Sequence, residues 1–276
     1  MPTPATAPST ILERRSVTIP TPEKSTPAEC RTSTSFAEVF LARATQWQGT
    51  GLASLTPEAL SFLKFGGVWD GSAEERHWLD CLEAKPFTTL FVSGNHENFD
   101  MLAKLPTEEW HGGMAQFVRP SVIHLLRGQV YDIQGNTFFT MGGGSSHDID
   151  GGILEPDDPQ FKRKCRKLDH SGALYRVNHL SWWKEELPSE EEYRTARASL
   201  DRHGWSVDYI ITHCGPTSVQ NELSRGFYKA DALTNFLDEV ASRCQFRNWF
   251  FGHYHDNGII REKFILLYEQ IIQLQN

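Results

Sequence analysis

The stretch Arg247-Asn248-Trp249-Phe250-Phe251-Gly252-His253-Tyr254-His255 constrains the fold of this chain most tightly. Its aromatic run has the composition of a short buried strand, and the run breaks at a glycine just before two histidines spaced i, i+2. In a loop at the carboxyl end of a strand, both imidazoles can turn toward one point, and open α/β sheets place their ligand sites at that edge. A lone His-x-His carries little weight, because histidines are often simply hydrogen-bonded. Two further strands end in the same way. Thr88-Thr89-Leu90-Phe91-Val92-Ser93 stops at Gly94-Asn95-His96-Glu97, and Val207-Asp208-Tyr209-Ile210-Ile211-Thr212 runs into His213-Cys214-Gly215-Pro216. Three strand ends thus deliver Asn95, His96, His213, His253 and His255 to one expected sheet edge. Imidazole suits zinc, iron, manganese or nickel, and an amide oxygen is an acceptable hard partner.

At these residues the sequence resembles the calcineurin-like metallophosphoesterases, whose pattern has Gly-Asn-His-Glu/Asp, a later strand-end His and Gly-His-x-His in this order. The resemblance covers residues 65 to 276. It implies a four-layer α/β/β/α sandwich of mixed sheets, and a metal-dependent phosphoesterase that hydrolyses a phosphate mono- or diester with a metal-activated water. It further implies that Asn95, His213 and His253 ligate one divalent metal (Mn, Fe or Zn) and that His255 ligates its neighbour. His96 matches the unligated histidine that meets the phosphoryl oxygen or the leaving group. The expected partner is a small phosphorylated substrate or a phosphoprotein.

The departures from that pattern matter as much. Members open with Asp-x-His on a first strand and Gly-Asp on a second, yet this chain has no aspartate before Asp70 and no histidine before His77. Leu63-Lys64 stands where Gly-Asp is expected, so regular first strands are expected to be lacking. Neutral ligands alone cannot offset two neighbouring dications, so one metal or none is expected unless Glu97, Asp148, Asp150 or Asp256 is recruited. A non-catalytic metal-binding or interaction module derived from a phosphoesterase is the alternative reading.

Residues 1–64 differ in kind from the rest. Ser, Thr, Pro and Ala fill 33 of the 64 positions, and six Lys or Arg against five Glu leave +1, so the other 212 residues carry -9 of the total -8. Up to Thr34 this composition favours disorder. Two short helices are expected at Phe36–Trp47 and at Pro57–Lys64, the second with Thr56 as N-cap. The segment is either an extension replacing the family's first strands or the product of a reading frame shifted upstream of Phe65, and the abrupt onset of family-like sequence favours the second. The acidic balance argues against nonspecific binding to nucleic acid. Five dispersed cysteines without Cys-x-x-Cys, no long apolar run and no signal-peptide core lead us to expect a cytoplasmic protein outside the membrane.

From Phe65 onward the pattern is regular. Ser72-Ala73-Glu74-Glu75 opens a helix to about Ala84, Gln129–Ile133 and Thr137–Met141 form a hairpin around Gly135-Asn136, and Ser189-Glu190-Glu191-Glu192 caps another helix. Leu233, Phe236, Leu237 and Val240 trace the apolar stripe of a helix packed on the sheet. Gly142-Gly143-Gly144-Ser145-Ser146-His147-Asp148 follows a strand and should face the ligand edge. There His147 either touches a substrate phosphate, oriented by Asp148, or belongs to a solvated turn. Ile259–Leu274 reads equally as a hairpin around Glu262-Lys263 or as a final helix.

Overall fold

The protein, seen as a computed structural model, is described here for residues 71–268 and 271–274, together with Phe40–Ala42 and Leu60–Leu63. In chain order the elements are β1 Phe40–Ala42, β2 Leu60–Leu63, α1 Ala73–Glu83, β3 Thr88–Phe91, α2 Phe99–Leu102, β4 Thr107–Trp110, β5 Gly113–Arg119, β6 Val122–Leu125, β7 Gln129–Ile133 and β8 Asn136–Met141. They continue with β9 Ile153–Leu154, α3 Phe161–Ser171, β10 Arg176–Val177, α4 Glu190–Arg202, β11 Tyr209–Thr212, α5 Thr217–Ser224 and α6 Ala232–Arg243. Last come β12 Asn248–Phe251, β13 Gly258–Ile260, β14 Phe264–Leu266 and β15 Ile271–Gln273.

Two mixed sheets dominate. One runs β13-β14-β12-β11-β8-β7 and the other β2-β3-β6-β5-β4. Strand periodicity explains how they stack, since alternate residues face opposite sides. Leu90 and Val92 from the second sheet share a buried cluster with Phe138, Tyr209, Ile211 and Phe250 from the first, so the two sheets pack face to face. The intervening residues face outward. Ile210, Trp249 and Phe251 pack with Leu200, Phe236 and Leu237 of α4 and α6, while Phe91 meets Leu79 of α1. The result is the expected α/β/β/α layering, with a core centred on the inner faces.

The helices begin where their caps place them. Ser72 accepts from the Glu75 amide, and full capping boxes open α4 at Ser189/Glu192 and α6 at Asp231/Thr234. The β7–β8 turn is Gln134-Gly135, both at positive φ, with Ile133 paired to Asn136. The hairpin therefore turns one residue earlier than the Gly135-Asn136 expectation, in the two-residue geometry that matches strand twist. The C-terminal ambiguity resolves to a hairpin of β13 and β14 around Arg261-Glu262, both also at positive φ.

The two expected N-terminal helices are corrected where the chain is described. Phe40–Ala42 pairs in parallel with Ile271–Gln273, and Leu60–Leu63 pairs in parallel with Thr88–Phe91. Short windows carry weak intrinsic helix preference, and β3 offers Leu60–Leu63 a row of ladder hydrogen bonds that a four-residue helical segment would forgo. The disorder expected up to Thr34 and the Thr56 cap lie outside the described residues. Among the described residues no helix is long and apolar enough to cross a membrane.

Candidate functional site

Strands β8, β11 and β12 run parallel, so their carboxyl ends share one edge of their sheet. The ladder continues past the strands: the His213 amide donates to Met141 O at 3.4 Å, and the Gly252 amide donates to His213 O at 2.9 Å. Strand β3 belongs to the other sheet, yet its loop reaches the same place because the Gly143 amide donates to Ser93 O at 2.7 Å. The site therefore sits where the two sheets meet at their carboxyl ends. Trp249 Nε1 donates to Thr212 Oγ1 at 2.8 Å, and that hydroxyl donates to Cys214 O at 2.7 Å, which ties the carboxyl end of β11 to β12.

Three of the expected donor atoms converge. His213 Nε2 lies 2.9 Å from Asn95 Oδ1 and 3.1 Å from His253 Nδ1. Asn95 and His213 are buried, and His253 is partly so. His96 joins them, with its Nε2 3.3 Å from Asn95 Nδ2. His147, from the glycine-rich loop, places Nε2 3.1 Å from His253 Nε2 and tilts its ring against Tyr228. His255 is exposed and stacks on Tyr268 at 5.3 Å.

Glycine makes this approach possible. A Cβ on Gly94 would stand 2.7 Å from His213 Cε1, and one on Gly144 would stand 3.0 Å from His213 Cδ2 and 3.4 Å from His253 Cε1. The loop after β12 carries strain: His253 and His255 have φ of 75° and 51°, a region where non-glycine residues cost about 1–3 kcal/mol. Tyr254 between them holds the loop down by donating to Gln220 Oε1 at 3.0 Å.

The acids that might have been recruited are engaged elsewhere. Glu97 is fully buried and turns back to accept from the Gly94 amide at 3.1 Å. Asp148 pairs with Arg176 rather than orienting His147. Asp150 accepts from the Leu174 amide at 3.0 Å, and Asp256 from the Asn257 amide at 2.7 Å. Packing against neighbouring groups holds the His147 pKa below its ordinary value, with the Asp231 and Asp148 charges opposing.

Two residues of the site had no place in the sequence reading. Ser146 is buried and accepts from Asn95 Nδ2 at 3.2 Å, and its hydroxyl donates to Glu186 Oε2 at 2.6 Å. Glu186, also buried, accepts from the Ser146 amide at 3.0 Å. Burial pushes its carboxyl upward, against the hydrogen bonds from Ser146. Arg127, itself buried, donates to Glu185 O at 2.7 Å and holds this segment in place. Ser146 lies in the glycine-rich loop that pointed to the site, whereas Glu186 lies forty residues away in a charged stretch with no local signal.

Among the described residues, no group of three or more His, Cys, Asp or Glu side chains is arranged to hold a metal ion. The connectivity accounts for this. His213 and His147 meet opposite nitrogens of His253, so the three imidazoles form a chain and do not share one centre. The shared centre has two imidazoles and a carboxamide. His213 Nε2 stands 2.9 Å from Asn95 Oδ1 and 3.1 Å from His253 Nδ1, closer than the roughly 3.3–3.6 Å between donors about 2.0–2.2 Å from a tetrahedral ion, so the three would have to spread to take one dication. They include no bridging carboxylate for two. The chain matches no protein-family model and no curated protein.

Proposed function

We propose that the chain is a metal-dependent phosphoesterase acting on a phosphate mono- or diester, of a small phosphorylated molecule or a phosphoprotein. The observation that carries this reading is the convergence of Asn95 Oδ1 and His253 Nδ1 on His213 Nε2, at 2.9 and 3.1 Å, at the joint edge of the two sheets. These three atoms would hold one divalent cation, which when bound supplies Lewis-acid activation of water and of a phosphoryl oxygen.

The chain's own groups account for the rest. Asn95 Nδ2 donates toward His96 Nε2, which leaves the proton of the neutral His96 ring on Nδ1. His96 borders the donor set without belonging to it, so it is available to protonate a leaving group or to donate to charge developing on phosphorus. His147 stands at the exposed rim beside His253, where a substrate phosphate would arrive. His255 is the ligand that the resemblance assigns to a second ion, and without a bridging carboxylate we expect that ion to be absent. Residence in the cytoplasm fits the dispersed thiols.

The engagement of Glu97, Asp148, Asp150 and Asp256 with other partners favours a second reading, a metal-holding module without turnover. Elemental analysis of the full chain, with hydrolysis of a generic phosphomonoester in added Mn2+, separates the two. One metal per chain, lost in Asn95→Ala and His213→Ala, with turnover lost in His96→Ala at unchanged metal content, is the expected result. Metal without turnover selects the module, and neither metal nor turnover overturns both readings.

A further inference from the structure

Asn95 Oδ1 is the oxygen donor of the centre, and a carboxamide can present either its oxygen or its NH2. What decides the choice is not on the Asn95 strand. Asn95 Nδ2 donates to Ser146 Oγ at 3.2 Å, Ser146 donates its hydroxyl proton to Glu186 Oε2 at 2.6 Å, and the Ser146 amide donates to Glu186 Oε1 at 3.0 Å. A carboxylate accepts only, so it forces the hydroxyl proton toward itself and leaves the hydroxyl lone pairs facing Asn95. Only the NH2 side of Asn95 can satisfy them, and the oxygen must then point at His213.

We propose that Glu186 is a positioning residue which, through Ser146, sets the orientation of the Asn95 carboxamide and so the polarity of the donor centre. The scaffold supports this. Glu186 is 4 % exposed, Ser146 6 % and Asn95 5 %, so water does not compete along the relay. The segment carrying Glu186 is fixed by Arg127 through Glu185 O and by the Gly144 amide, which donates to Glu186 O at 3.1 Å. A Cβ on Gly143 would stand 2.5 Å from Glu186 O, so this loop and the Glu186 segment are fitted to each other. The proposal rests on the phosphoesterase reading only for its consequence, since the relay itself needs no metal.

The test reverses the relay. Asn95→Asp alone sets two carboxylates against one hydroxyl proton, and Glu186→Gln alone sets amide donors on both sides of it. Together the two substitutions restore alternation in the opposite sense, from the new amide through Ser146 to the new carboxylate. Melting of the metal-free full chain should show each single variant lowered by several degrees and the double variant recovering above both. A double variant no more stable than the weaker single overturns the proposal. Equilibrium dialysis against Mn2+ supplies the second readout: Ser146→Ala should weaken binding about 10- to 100-fold, as loss of a partner behind a metal ligand does. Unchanged Mn2+ affinity in Ser146→Ala also overturns the relay. If the wild-type chain takes up no Mn2+, the metal reading fails while the melting cycle still decides the relay.

Discussion

Gly94→Ala isolates the close approach on which the donor centre depends. Gly94 is not among the residues at positive φ, so an alanine meets no backbone penalty there. By reducing unfolded-state freedom alone it would stabilise by about 0.4–1 kcal/mol. Its Cβ, however, would lie 2.7 Å from His213 Cε1 and 3.0 Å from His213 Nδ1, about 1 Å inside the ordinary 3.5–4.0 Å carbon contact. His213 is only 2 % exposed, so its ring has little room to give way. Overpacking of this kind costs about 1–3 kcal/mol, leaving a net loss of up to about 2.6 kcal/mol. At about 2–4 °C per kcal/mol for a domain of this size, that lowers Tm by up to about 10 °C. Gly258→Ala is the matched control, because Gly258 also lacks positive φ and its Cβ would meet only Ile260 Cδ1, at 3.9 Å. Calorimetry of both variants, with NMR of the His213 ring, should show Gly94→Ala destabilised and the His213 resonances shifted, and Gly258→Ala neutral or stabilised. Two equally benign substitutions with an unmoved His213 ring would refute the reasoning.

His124 is buried with its pKa driven down to about 3, first by burial and then by the Arg127 charge, so it folds neutral. The unfolded chain binds the proton below about 6.5. Stability present above that pH is therefore lost as pH falls toward 3, by at most about 5 kcal/mol at 1.36 kcal/mol per unit; urea melts should show the slope in wild type and a flatter one in His124→Phe. Asp231 caps α6 and also accepts from Ser145 Oγ at 2.5 Å, so Asp231→Ala should cost about 1–2 kcal/mol in chemical denaturation, while a loss below a few tenths would deny it that role. Mn2+ at 100 times its dissociation constant should raise stability by about 2.7 kcal/mol, and a chelator should remove the gain; a Tm indifferent to Mn2+ would exclude the donor centre as a metal site.

How much of this was legible in the sequence depended on the range of the interactions. The strands ending at Ser93, Thr212 and Phe251 announced themselves as apolar runs cut by polar residues, and the caps at Ser72 and Ser189 are local patterns, so both could be read directly. The stripe Leu233, Phe236, Leu237, Val240 packs as its spacing requires. Leu60–Leu63 could not be read, because its strand exists only through pairing with Thr88–Phe91, which no window around Thr56-Pro57 contains. Glu186 was invisible for the same reason: nothing within Trp183-Lys184-Glu185-Glu186 distinguishes the acid that turns inward from the adjacent Glu185. The strand-end histidines pointed to the edge where Asn95, His213 and His253 come together, but tertiary packing decides which nitrogen each presents.

That last distinction bears on how many cations the site can carry. Two dications about 3.5 Å apart repel by roughly 19 kcal/mol even at an effective dielectric of 20, and a shared carboxylate is the usual counterweight. Here the donors at the centre are all neutral, and the nearest acid joined to them by hydrogen bonds, Glu186, stands behind Asn95 with Ser146 between them. Its charge would reach the centre only as an oriented carboxamide dipole, in keeping with the single cation proposed to face Asn95 Oδ1, and it stands too far back to bridge two. Supplying the carboxylate directly, through Asn95→Asp in the Glu186→Gln background, moves that charge one position forward. The paired variant should then hold its one metal more tightly than wild type, and titration that finds weaker binding would mean that the charge behind Asn95 has no part in holding a cation.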